Sequence, residues 1–146
     1  MKFTATAAAL IALASSATAA FSSCGSASDS FSLGSITYTP NPPKVGKDIC
    51  ITLNGSLKAP VSTGSSLHVT ATFWGINVYD QTVDLCNGLV GGPNPCPIPV
   101  TTTSVTQCIT VPSNVPAGVS LTLKAVATNA DSSRIFCISG PLTFSN

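Results

Sequence analysis

Glutamate is absent from this sequence, histidine and tryptophan occur once each, and charged side chains make up 8% of its 146 residues. General acid–base catalysis usually draws on a positioned His, Glu or Lys. A nucleophile–base pair would therefore have to rest on His68. That residue follows Leu67 and precedes Val69 in an alternating segment, on the polar side with Thr70 and Thr72, where an exposed or edge histidine is expected. No Gly-x-Ser-x-Gly elbow accompanies it. No glycine loop leads into a helix as a phosphate cradle would, since Gly91-Gly92 precedes proline and cysteine. Asp80 and Asp84 share a strand face, and there they read as a solvated surface rather than a glycosidase pair. The residues argue against an enzyme; no catalytic residue, cofactor or metal is assigned.

Long apolar runs are also missing after the N-terminus, so nothing beyond residue 20 is long enough to cross a bilayer as a helix. The N-terminus itself begins with Lys2, continues through an alanine-rich run from Phe3 to Ala14, and reaches the small residues Ala17-Thr18-Ala19-Ala20. That order matches a secretory signal and its cleavage site, and the run is short for a membrane span. An N-terminal core helix is the competing reading. We expect residues 1–20 to be a signal peptide and 21–146 the mature domain, secreted or held in the lumen of a vacuole- or lysosome-like compartment. Loss of Lys2 leaves Lys44, Lys47, Lys58, Lys124 and Arg134 against Asp29, Asp48, Asp80, Asp84 and Asp131. Such a balance gives no long-range attraction to nucleic acid or to anionic membranes.

What the chain does have is cysteine: Cys24, Cys50, Cys86, Cys96, Cys108 and Cys137, all after the signal. An even number in an oxidising compartment reads as three disulfides. A zinc site would need close Cys-x-x-Cys spacing or more histidine than His68 supplies. Threonine, valine, serine and isoleucine dominate the mature region, and turns rich in Pro, Gly and Asn recur about every ten residues, the pattern of a sandwich or barrel. The sequence predicts strands near 31–39, 47–57, 66–74, 76–85, 103–111, 119–128 and 134–144.

Two of these strands alternate clearly. Ile49, Ile51, Leu53, Gly55 and Leu57 oppose Cys50, Thr52, Asn54 and Ser56; Val105, Ile109 and Val111 oppose Thr106, Cys108 and Thr110. Each cysteine thus lies on a polar face. Two outward cysteines meet only if their strands are neighbours, because a disulfide brings its Cα atoms to within about 4.4–6.8 Å. A Cys50–Cys108 bridge accordingly requires the second and fifth strands to pair, as they do in an immunoglobulin-type Greek key. Cys86 and Cys96 bracket a Gly- and Pro-rich stretch whose closure stabilises by roughly 3 kcal/mol in the chain-entropy model. Cys24 and Cys137 remain to tie the N-terminus to the last strand, worth about 4–5 kcal/mol in the same model. Asn54-Gly55-Ser56 is a glycosylation sequon, with Asn54 on the outward face. Trp74-Gly75 and Tyr79 form the densest aromatic patch, open to ordinary packing or to a ligand-lining role.

Cys24-Gly25 with an acidic position after it, Ile36-Thr37-Tyr38-Thr39-Pro40-Asn41-Pro42-Pro43 and Gly46-Lys47-Asp48 resemble the opening of fungal ML-domain proteins. Asp84-Leu85-Cys86, Cys96-Pro97-Ile98, Val115-Pro116-Ala117-Gly118 and Phe136-Cys137-Ile138 continue the pattern in order across the mature chain. ML denotes the lipid-recognition family of the soluble Niemann–Pick type C sterol carrier; the branch resembled is the fungal phosphatidylglycerol/phosphatidylinositol transfer protein. The resemblance implies an all-β, immunoglobulin-like two-sheet β-sandwich with an apolar cavity between its sheets. It also implies a lipid ligand, phospholipid or sterol, with transient membrane contact. The inward side chains Val69, Phe73, Leu121, Leu123, Phe136 and Ile138 are the expected lining, and Lys44, Lys47 and Lys58 are candidates for the headgroup. A monomer is expected. The alternative is a secreted protein- or glycan-recognition sandwich with a filled core, and a lipid hydrolase comes third.

Overall fold

Alternating β-branched and polar residues favour extended backbone, and in the computed structural model, which describes residues 21–88 and 95–146, the described residues form eight strands. They are β1 (Ser22–Ser23), β2 (Phe31–Thr39), β3 (Asp48–Leu57), β4 (Ser66–Phe73), β5 (Ile76–Asp84), β6 (Ser104–Thr110), β7 (Ser120–Thr128) and β8 (Arg134–Thr143). A single helical turn, α1 (Leu85–Gly88), follows β5; the Asp84 carboxylate caps it by accepting from the Asn87 amide at 2.9 Å. Strands β2 to β8 are those predicted, with ends differing by at most one residue. The short β1 and α1 carry no sequence signal. The expected signal peptide, 1–20, and the middle of the Cys86–Cys96 loop lie outside the described residues.

Two antiparallel sheets result, ordered β1-β8-β7-β4-β5 and β2-β3-β6. This is immunoglobulin-like topology, with β3 and β6, the second and fifth of the predicted strands, side by side. Cys50 stands directly opposite Cys108 in their register, and the two are bonded. The other bridges are Cys24–Cys137 and Cys86–Cys96, the pairing expected, and no described cysteine is free.

The sandwich is sewn along one side. Cys24–Cys137 fastens the N-terminal segment to β8, and the ring of Phe31 on β2 meets that of Phe136 on β8 edge-on, 6.2 Å between centroids. Arg134 Nε donates to Asp29 Oδ1 at 2.7 Å, and the Ser26 amide donates to the other carboxylate oxygen at 3.2 Å. Asp29, the acidic position of the resemblance, is thereby buried with a partner, the condition under which a buried carboxylate is tolerated. Gly55 faces inward on β3, where any side chain would overlap the Ser32 carbonyl oxygen and the Phe31 ring.

On the other side the edge strands β5 and β6 do not pair with each other. Every residue of β5 except Tyr79 is exposed. The core is accordingly split in two: one cluster centres on Phe31, Leu53, Leu57, Ile98 and Ile135, the other on Ile49, Val111, Leu121, Leu142 and Phe144.

Candidate functional site

Between the two core clusters the sheets stand apart around a partly open cavity of about 410 Å³, within the range usual for ligand pockets. Inward positions of consecutive strands build its walls. β3 gives Ile49, Ile51 and Leu53; β4 gives Leu67, Val69 and Ala71; β7 gives Leu121, Leu123 and Ala125; β8 and the residues after it give Phe136, Ile138, Leu142 and Phe144. Each set keeps to alternate positions, with Gly140 skipped in the last, because alternate side chains of a strand share a face. Phe21 and the segment after β6, with Val111, Pro112, Asn114, Val115 and Pro116, add to the lining.

The edge strands supply the remainder. β5 presents Val78, Tyr79, Gln81 and Val83, and β6 presents Gln107, Ile109 and Thr110. Val78 and Tyr79 are consecutive, yet both border the cavity. The pairing skips Val78, since Ala71 faces Tyr79 and Thr72 faces Asn77, so Val78 is the extra residue of a β-bulge that re-aims the strand. No Asp, Lys, Arg or His lines the cavity; its hydrogen-bonding groups are the amides of Gln81, Gln107 and Asn114 and the hydroxyls of Tyr79 and Thr110. The arrangement can shelter hydrocarbon and offer neutral hydrogen bonds where the edge strands part.

Five of the six residues expected at the lining, Val69, Leu121, Leu123, Phe136 and Ile138, are brought together around this space. Phe73 is not among them. It is the last residue of β4, one position beyond the final β4–β7 pair of Thr72 with Thr122, so the inner face is no longer flanked there. The residue is 36% exposed, and its ring packs edge-on against Trp74, 6.0 Å between centroids. Trp74 neither packs in the sandwich nor lines the cavity, being 88% exposed, whereas Tyr79 of the same patch does line it. The alternation of β3 already marked Ile49, Ile51 and Leu53 as inward, and that signal sufficed to add them; Phe21, Val78 and the loop after β6 had none.

The candidate cations stand elsewhere. Lys58 Nζ donates to the carbonyls of Ala27 and Asp29, at 2.9 and 3.3 Å, beside the sewn seam. Lys44 and Lys47 lie before β3 and do not line the cavity. His68 bonds Asp80 at 2.8 Å on exposed surface, outside the lining. Asn54 lies on the outer face of β3, where its amide nitrogen donates to Ser35 Oγ at 3.2 Å. Asp131 also lies apart, in the turn between β7 and β8, and hydrogen bonds from the Ser133 hydroxyl and amide hold its carboxyl below the usual value.

These features define a cavity-bearing β-sandwich of immunoglobulin-like topology. Residues 18–144 match the family model of the ML domain, and the chain belongs to that family. It is 29% identical over 110 residues to the phosphatidylglycerol/phosphatidylinositol transfer protein of Aspergillus oryzae, covering 75% of this chain and 62% of that one. The chain spans about three-fifths of the length of this relative and of its counterparts from Candida albicans and Neurospora crassa. Among solved structures, a Niemann-Pick type C2 protein from Japanese carpenter ant superposes with a TM-score of 0.62 at 16% identity, over 86% of this chain and 98% of that one. Chicken MD-1 complexed with lipid IVa gives 0.55 at 14% identity, over 85% and 88%. At these identities the structures share the fold.

Proposed function

We propose that this protein binds a lipid between its two sheets and carries it from one membrane to another. The observation that carries the reading is the apolar inter-sheet cavity, bordered by two edge strands that do not pair. Unfilled apolar volume costs about 24 cal/mol per Å³ in core truncations. Packing for stability alone would not leave such a space. The name of the Aspergillus oryzae relative and the lipid in the chicken MD-1 complex support the same reading.

The physics requires no chemical step. Each methylene withdrawn from water is worth about 0.8 kcal/mol, so a free acyl chain or ring system does not cross solvent on a useful timescale. A cavity of similar apolarity lets the guest leave a bilayer without hydrating, and net flow follows the concentration difference. The uncharged lining favours recognition through hydrocarbon shape and neutral hydrogen bonds over an ion pair with the headgroup. Disulfides fit an extracellular or lumenal site of action.

Native mass spectrometry of the secreted protein tests this directly. One lipid mass per chain, released under denaturing conditions, is the expected result. A ligand-free mass together with failure to take up lipid from vesicles would leave a recognition domain acting through its outer surface.

A further inference from the structure

The turn between β4 and β5 combines two features that folding alone disfavours. Trp74 and Gly75 join the strands as a two-residue loop, and both have positive φ, 51° and 79°. The turns that combine positive φ at both central positions with a tight hairpin favour Asn-Gly or Asp-Gly; a bulky side chain at positive φ is uncommon and sterically disfavoured. Moreover, Trp74 is 88% exposed, with only Phe73 as an aromatic neighbour. Ile76 and Val78 beside it are 68% and 52% exposed. From Phe73 to Tyr79 there is no charged residue. The patch runs directly into the cavity, because Val78 belongs to both.

We infer that this hairpin tip, Phe73, Trp74, Ile76 and Val78, is the element that docks the protein on a lipid bilayer and sets the cavity beside it. The inference rests on the carrier reading for its purpose, but its physical basis is separate. A stable protein partner or a second copy needs about 20–30 residues a side, and a convex turn of four apolar side chains falls far short. A bilayer imposes no such demand for shape. Its headgroup boundary favours indole, whose ring is apolar and whose N–H seeks a partner. An uncharged tip further fits an apolar occupant, so attachment is to zwitterionic as well as anionic membrane and is little affected by salt.

Trp74 is the chain's one tryptophan, so its emission reports on the tip alone. Added to the mature protein, phosphatidylcholine vesicles should shift that emission to the blue, and brominated acyl chains should quench it, in low and high salt alike. Trp74→Asn restores a residue that the turn favours and removes the ring, so the variant should fold. Its vesicle affinity and its rate of lipid transfer between vesicles should each fall at least about tenfold, while the lipid mass carried at equilibrium is unchanged. Unchanged emission with vesicles, or a Trp74→Asn variant that transfers at the parent rate, would overturn the docking role and leave the carrier reading intact. A blue shift that follows protein concentration without vesicles would overturn it in favour of self-association. Loss of lipid loading from both proteins would refute the carrier reading; the emission measurement would still decide the docking role.

Discussion

Asn129 Oδ1 accepts a hydrogen bond of 2.8 Å from the Ser65 hydroxyl, 64 residues away in sequence. The same oxygen accepts from the Ser62 amide at 2.9 Å and the Ala130 amide at 3.0 Å, while Nδ2 donates to the Pro60 carbonyl at 2.8 Å. One buried side chain thus fastens the loop before β4 to the loop after β7. Removing it would take a partner from the part-buried Ser62 amide and Pro60 carbonyl and from the buried Ser65 hydroxyl, which keeps only the Ser62 carbonyl, and a buried group left unpartnered costs about 1–3 kcal/mol. Asn129→Ala should therefore lower the stability measured by urea denaturation by about 1–3 kcal/mol.

Gly55→Ala would place a methyl group against the Ser32 carbonyl oxygen and the Phe31 ring, both part of the β2–β3 pairing. We expect a loss of about 1–3 kcal/mol, as for other overpacked interiors, read as a lower Tm by circular dichroism.

Leu123→Asp and Phe73→Asp separate the cavity from its surroundings. Leu123 borders the space and Phe73 does not. With both variants shown to be folded, Leu123→Asp should lose equilibrium lipid loading and Phe73→Asp should keep it, by native mass spectrometry. The contrast follows from the cost of an unpaired carboxylate among apolar walls.

Neutralising Lys44 and Lys47 together to glutamine should leave the loaded fraction unchanged for anionic and zwitterionic lipid alike, since neither residue lines the cavity. A selective loss of anionic lipid would show that a cation reaches the headgroup. Lys58 is left out of this test because its ammonium holds two backbone carbonyls.

Asp131 offers a pH handle away from the cavity. The Ser133 hydroxyl, and secondarily its amide, stabilise the carboxylate and hold its pKa below 3.8. A depressed folded pKa contributes stability above the ordinary aspartate value, lost as pH falls through the folded value. In Ser133→Ala the Asp131 carboxyl resonance should titrate at higher pH than in the parent.

Much of the architecture was legible because strand alternation is a local signal. Ile49, Ile51 and Leu53 announced an inner face, and Cys50 and Cys108, both on outer faces, could be bridged only if β3 neighboured β6. Alternation gives the face a residue points to but not where a sheet ends, which is why Phe73 was expected in the cavity. The bulge at Val78 inserts a residue without any glycine to mark it, so the turn of both Val78 and Tyr79 toward the cavity could not be read. The Trp74-Gly75 loop departs from the usual hairpin dipeptides for the same reason that makes it interesting. The Arg134–Asp29 contact spans 105 residues, and no local pattern foretells it. Family resemblance, rather than periodicity, pointed to a space between the sheets; the walls of that space then followed largely from parity.

A seam fastened by a covalent link and an ion pair, facing an edge where β5 and β6 exchange no backbone hydrogen bonds, behaves like a book with its spine glued. Parting the pages need break no ladder bonds between those two strands. Between those two strands apolar contact resists the movement, and such contact is non-directional and re-forms at many separations. On the carrier reading proposed above, a cleft built this way would adjust its girth to the guest, whether a slim chain or a broad ring system.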